Sequence, residues 1–223
     1  VISSYTPTIR ALADARARAL HSNRVSSEQK LLIVSQDTPD KPLPNVKRER
    51  DLLIRLFSGR NTLLDGASAT REAVSIRLPS HRWVHLSCHG TQDLEYPTRG
   101  GISLADGLLS VAELSRINYS GDFAFLSACK TGTGSVTIPD EGITLASALH
   151  YMGYSHVIAA AWSIWDHTAA EAAEIVYPAM MTGEEFRAAL APYALHKAVR
   201  ALRDRYDRFQ HPSAWSHFIH IGP

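Results

Sequence analysis

Apolar residues along the chain fall into two kinds of run, short continuous ones and longer ones with helical spacing. Lys30-Leu-Leu-Ile-Val-Ser35, Trp83-Val-His-Leu-Ser87, Asp122-Phe-Ala-Phe-Leu-Ser-Ala128 and His156-Val-Ile-Ala-Ala-Ala-Trp162 are the continuous kind and predict buried strands. Residues 61–66 predict a further short strand, 101–107 a hairpin strand, and 215–221 an alternating closing strand. Helical spacing predicts helices over 5–21, 46–57, 67–78, 111–116, 141–152, 167–181 and 185–205. Asn45 stands where a cap belongs before the second of these, and Ser68 or Thr70 before the third. Gly153 follows the fifth as a C-terminal stop.

Strands that are apolar almost throughout, each followed by a helix, predict an α/β fold. Its mostly parallel sheet is covered on both faces. Right-handed crossovers then bring successive strand ends to one edge, where open α/β sheets bind ligands. Cys88-His89-Gly90, Ser127-Ala128-Cys129 and Trp162 to Asp166 all lie just past predicted strand ends. Three chemically loaded segments therefore converge on one edge.

Composition narrows the class. The 223 residues are 45% hydrophobic and 20% charged, ordinary for a protein with a sizeable core. A formal net charge of +1 gives no electrostatic case for nucleic acid or an anionic membrane. The longest apolar stretch, near 157–162, is too short to cross a bilayer. No secretory signal precedes the first helix, so we expect a cytoplasmic or nuclear setting and a fragment of a longer protein. Two cysteines, Cys88 and Cys129, are too few for a disulfide scaffold.

A cysteine nucleophile requires a thiolate, a base to maintain it and donors for the developing oxyanion. Cys129 ends one strand and His89 ends another, 40 residues upstream. Gly90 lets the chain approach a substrate closely, and its N–H with that of Cys129 forms a candidate oxyanion hole. Cys88 precedes His89 and, by strand alternation, points to the opposite face as a core residue. His85 shares the face of His89, as a core histidine or a supporting group. Its i, i+4 spacing from His89 lies on a strand, so no metal site is expected. Gly132 and Gly134 lack the Gly-Lys-Ser/Thr of a phosphate loop, so we expect no nucleotide and no other cofactor.

His85-Leu-Ser-Cys-His-Gly90, Gly101-Ile-Ser-Leu-Ala-Asp-Gly107, Phe125-Leu-Ser-Ala-Cys129, Glu141-Gly-Ile-Thr-Leu-Ala146 and Trp162-Ser-Ile-Trp-Asp166 together resemble the CHAT family. The closing Trp215-Ser-His-Phe-Ile-His-Ile-Gly222 is similar to its terminal strand. CHAT domains are caspase-like relatives of separase and the caspases. The resemblance implies a caspase-like α/β fold, cysteine endopeptidase activity and a His–Cys dyad at His89 and Cys129. Caspases place the histidine roughly 50 residues before a Gln-Ala-Cys triplet. Here Ser127 stands in place of the pocket glutamine. Similarity of Trp162 to Asp166 with a separase segment implies Asp166 as the acid that receives a basic P1 residue, Arg or Lys. Ser127, Trp162 and Glu141 are further candidates on that pocket, with the cap of the following helix as the other reading of Asp166.

The resemblance also implies protein or peptide substrates and attachment to a tetratricopeptide-type sensor region. Residues 1–25 are then an N-terminal helix and linker to that region, and 26–223 the peptidase domain. Two rival readings stand beside it. One is a catalytically silent caspase-like scaffold that binds protein partners; the other is a cysteine-dependent hydrolase or transferase acting on a small molecule.

Overall fold

The computed structural model describes residues 1–21, 29–37, 42–91, 93, 95–117, 120–127, 145–161, 165–205, 212 and 215–223. Its centre is a six-stranded sheet built from β1 (Leu31–Ser35), β2 (Asn61–Asp65), β3 (Trp83–Ser87), β7 (Phe123–Leu126), β8 (His156–Ala160) and β11 (Phe218–Ile221). The spatial order is β11-β8-β7-β3-β1-β2. Every neighbouring pair is parallel except β11 with β8, which is antiparallel. The fold is therefore the mixed α/β, mostly parallel architecture that the apolar runs predict.

Alternation along the strands divides the core in two. Leu31, Ile33, Trp83, Phe123 and Phe125 point to one face, where α2 (Val46–Leu56), α6 (Asp166–Met180) and α7 (Ala191–Arg205) cover them. Leu32, Val34, Val84, Leu86 and Ala124 point to the other, beneath α3 (Arg71–Arg77), α4 (Val111–Leu114) and α5 (Leu145–Met152). The N-terminal helix α1 (Ile9–His21) packs against α5. Ahead of it, Tyr5 extends the sheet beyond β11: its N–H donates to His220 C=O at 2.8 Å, and Gly222 N–H donates to Tyr5 C=O at 3.0 Å.

A second, three-stranded sheet stands beyond the end of β3. It consists of β4 (Gly90–Thr91), β5 (Gly101–Leu104) and β6 (Gly107–Ser110), all antiparallel. The hairpin expected at 101–107 is thus β5 and the turn into β6.

Three details correct the sequence expectations. Residues 185–190 are not α-helical: β9 (Met181–Thr182) and β10 (Glu185–Phe186) form a hairpin, a 3-10 turn follows at Ala188–Leu190, and α7 begins only at Ala191. Packing decides this, because the hairpin drives Phe186 into an aromatic cluster with Phe57, Trp83, Phe123 and Tyr177. The helix expected over 67–78 is α3 flanked by 3-10 turns, with Thr70 as its cap, accepting from Ala73 N–H at 3.2 Å. Asn45 does occupy the cap position of α2, but its side chain makes no cap hydrogen bond. It is turned towards Asp166 instead.

Candidate active site

The candidate site lies at the carboxyl edge of the main sheet, where the ends of β1, β3 and β7 are locked in register. Gln36 N–H donates to Ser87 C=O at 2.8 Å, and Ser127 N–H donates to Leu86 C=O at 3.0 Å. Just beyond β3 the chain passes through Cys88, fully buried, to His89, which is half-buried. The His89 carbonyl accepts from Ser103 N–H of β5 at 2.8 Å, which fixes the backbone at the histidine.

The same bond settles the orientation of Gly90. With Gly90 opposite Ile102 and the hydrogen bond running from Ser103 to His89, Gly90 and Ile102 are a non-hydrogen-bonded antiparallel pair. The Gly90 N–H therefore points away from β5. It takes no part in the pairing with β5.

Beneath this edge lies a buried polar network. His85, on β3, sits between Phe125 (ring centroids 5.1 Å apart) and Tyr177 (5.5 Å). Its Nδ1 is 2.9 Å from Tyr177 Oη and its Nε2 is 2.7 Å from Ser87 Oγ. Glu49 reaches in from α2 with only 1% of its surface exposed. Ser127 donates its hydroxyl to Glu49 Oε1 at 2.9 Å. Glu49 Oε2 lies 3.0 Å from His85 Nε2, a close contact whose alignment falls short of a hydrogen bond. Burying a carboxylate costs several kcal/mol unless partners of this kind compensate it.

The field of that carboxylate is felt nearby. Burial, and after it the charge of Glu49, pushes the Cys88 thiol up to about 12. The same two causes, in the same order, raise the Tyr177 hydroxyl well above its ordinary value. Cys88 belongs to the core beneath α3–α5 and is a free, buried thiol, as strand alternation predicts.

Asp166 opens α6 at its first helical position, behind the cap residue Trp165, and is half-buried. It does not act as the side-chain cap of its helix. Its Oδ2 instead accepts from the backbone N–H of Asn45 at 2.6 Å and from Asn45 Nδ2 at 2.8 Å. This ties the start of α6 to the start of α2. Trp165 beside it is exposed and stacks on His167 at 5.6 Å.

His89, Gly90, Ser127 and Asp166 are thus all on strand or helix ends at the carboxyl edge, and Ser127 is joined to the Glu49–His85 network. Cys129, Glu141 and Trp162 lie outside the described residues. Glu49 and Tyr177 escaped the sequence reading, which took Asn45 only as a helix cap. Glu49 did carry a signal: it interrupts the inward stripe Val46, Glu49, Leu53 of α2 with a charge. Among the described residues no helix is long and apolar enough to cross a membrane.

A six-stranded sheet of this order, with a small antiparallel sheet after β3 and a His-Gly at its edge, defines a caspase-like α/β protein. The chain matches the CHAT domain over residues 2–223, and it belongs to that family. No curated protein sequence matches it. Among solved structures it is similar to separase in the Saccharomyces cerevisiae separase–securin complex, at 12% identity and a TM-score of 0.69. That match covers 100% of this chain and 14% of separase. It is also similar to the complex of Porphyromonas gingivalis RgpB pro- and mature domains, at 10% identity and a TM-score of 0.66, over 94% of this chain and 52% of that one. The Arg-specific cysteine proteinase gingipain R matches at 14% identity with a TM-score of 0.64, over 95% of this chain and 51% of its own. These likenesses establish the caspase-like fold. The chain spans about half the length of the gingipain structures and a seventh of separase.

Proposed function

We propose that this CHAT domain is a cysteine endopeptidase with His89 and Cys129 as its dyad and a preference for Arg or Lys at P1. The observation that carries the reading is the register of β3 and β7: adjacent parallel strands end together, with His89-Gly90 following one and Ser127, two residues before Cys129, ending the other. The outward Gly90 N–H supports it.

In this reading the Cys129 thiolate adds to the scissile carbonyl carbon, and the oxyanion is held by the Gly90 and Cys129 amides. The C–N bond breaks as His89 delivers a proton to the leaving amine. Water then attacks the thioester carbonyl, His89 takes its proton, and the acid leaves with the thiolate restored.

Asp166 is the proposed P1 acid, with Ser127, Trp162 and Glu141 as further candidates for that pocket. Its Oδ2 is committed to Asn45, and a carboxylate keeps lone pairs on its second oxygen for a guanidinium or ammonium. The likeness to an Arg-specific proteinase supports the same preference. The matched structures include complexes with a pro-domain and with securin. By that analogy we propose protein partners here; the sensor region is proposed from the family resemblance, and a cytoplasmic or nuclear setting from the sequence reading alone.

The test is cleavage of fluorogenic peptides varied at P1. Basic P1 peptides are expected to be cut, with Cys129→Ala silent and His89→Ala slower by about 10²–10⁴-fold. Asp166→Ala is expected to remove the basic preference. A wild-type chain that cuts nothing, with or without a restored sensor region, would leave the binding scaffold as the better reading.

A further inference from the structure

The carboxylate of Glu49 has a place in the structure that neither the fold nor its helix requires. It occupies a core-facing position of α2, between Val46 and Leu53, where the helix pattern calls for an aliphatic residue. From there it reaches β3 and β7 towards their carboxyl ends, while the Arg82–Asp122 ion pair joins the same two strands at their other ends at 2.7 Å. Ser127 Oγ–H donates to Oε1 at 2.9 Å from the end of β7, and His85 Nε2 stands 3.0 Å from Oε2 on β3. Ser127 precedes Cys129 by two residues, and His85 precedes His89 by four. Ser87, two residues before His89, closes the group through its 2.7 Å contact with His85.

The opposite ends of the network are equally held. Tyr177 of α6 meets His85 Nδ1 at 2.9 Å, and Asn45, one turn ahead of Glu49, holds Asp166 at the start of that same helix. One turn of α2 therefore reaches the strand of the histidine, the strand of the cysteine and the helix of the proposed P1 acid.

We infer that Glu49 is a positioning residue for peptide hydrolysis: through Ser127 and His85 its buried carboxylate sets the spacing and direction of the strand ends that carry Cys129 and His89. The inference rests on the peptidase reading, since it needs that dyad. Glu49 touches neither substrate nor the reacting atoms. What it supplies is the alignment of two chain segments, and misplacement by about 1 Å at a reacting group costs roughly 10²-fold in rate.

Two measurements on the same proteins test it: kcat and KM on a basic P1 peptide, and the alkylation rate of Cys129 by iodoacetamide, resolved by mass spectrometry. In the wild type, Cys129 is expected to react faster than in the urea-unfolded chain, and tenfold or more slower in His89→Ala. Glu49→Leu fills the apolar stripe and is expected to keep its Tm. Its kcat should fall about 10²-fold with KM within about twofold, and its Cys129 alkylation should fall towards the His89→Ala level.

Glu49→Gln keeps an acceptor for Ser127 and is expected to recover most of that loss. Ser127→Ala should reproduce the defect, and the double variant should lose no more than the worse single one. Should Glu49→Leu fail to fold, Ser127→Ala decides the matter alone. A folded Glu49→Leu, or in that case Ser127→Ala, with wild-type kcat and wild-type Cys129 reactivity overturns the positioning role and leaves the dyad intact. A wild-type Cys129 that reacts no faster than in the unfolded chain, with no peptide cut, overturns the dyad and the positioning role with it.

Discussion

Strand alternation decides the surroundings of Cys88. Val84, Leu86 and Cys88 face the core under α3–α5, whereas Trp83 and His85 face the core under α2, α6 and α7. Burial, then the charge of Glu49, holds the Cys88 thiol up to about 12, so almost none of it is thiolate at neutral pH. Cys88 is expected to resist iodoacetamide at pH 7 in the folded chain and to react once urea exposes it. Cys88→Ala should cost on the order of 1 kcal/mol of stability, read from urea unfolding. Rapid labelling of Cys88 in the folded protein would show that its burial is wrong. This fate was legible in the sequence, since period-two alternation alone separates Cys88 from His89. The role of Glu49 was not, because Ser127, its partner, is 78 residues away and only the packing of α2 on the sheet brings them together.

Elements were legible where one physical signal dominated. β1, β3, β7 and β8 are apolar runs buried on both faces, and their ends agree with the sequence expectation to within one or two residues. Legibility failed at residues 185–190, where charged and alanine-rich sequence suits a helix by propensity. There the gain from burying Phe186 among four aromatic rings outweighs that preference. It failed again at Asn45, whose amide serves Asp166 of a distant helix before its own. The β5–β6 hairpin shows how tightly such local geometry is drawn at the site. A Cβ at Gly101 would come within 2.1 Å of the Leu109 carbonyl oxygen, a backbone atom that can yield only if the strands part. Gly101→Ala is therefore expected to destabilise the chain by about 1–3 kcal/mol in urea unfolding. Since β5 also holds the His89 carbonyl and orients Gly90, cleavage should fall further than the loss of folded protein explains.

Across the whole molecule, the candidate site and the pair of buried histidines sit at opposite ends of the sheet. The candidate site is at the carboxyl edge, whereas His156 begins β8 and pairs with His220 of β11, Nδ1 to Nε2 at 3.1 Å. His220 Nδ1 in turn meets Ser4 Oγ at 2.9 Å, beneath the N-terminal segment that extends the sheet. Burial first, and then His150 beside it, pushes His156 down to about 4. Burial, then His156 and His150, pushes His220 down to about 3. His81, His150 and His217 are lowered as well, with burial as the leading cause in each. The sign follows from linkage: below about 6.5 the unfolded chain binds protons that the folded chain refuses, so stability falls as the pH falls. The contribution is fully present above that value and is lost progressively towards the folded values. By pH 5 His156 and His220 should each have cost on the order of 2 kcal/mol, at about 1.4 kcal/mol per pH unit. Urea unfolding at pH 7, 6 and 5 is expected to show this slope, and His156→Gln with His220→Gln to flatten it. The window above pH 5 matters, because ordinary carboxylates titrate below it and would add a slope of their own. A double variant that keeps the wild-type slope would mean that the proton uptake resides elsewhere, among the other buried histidines.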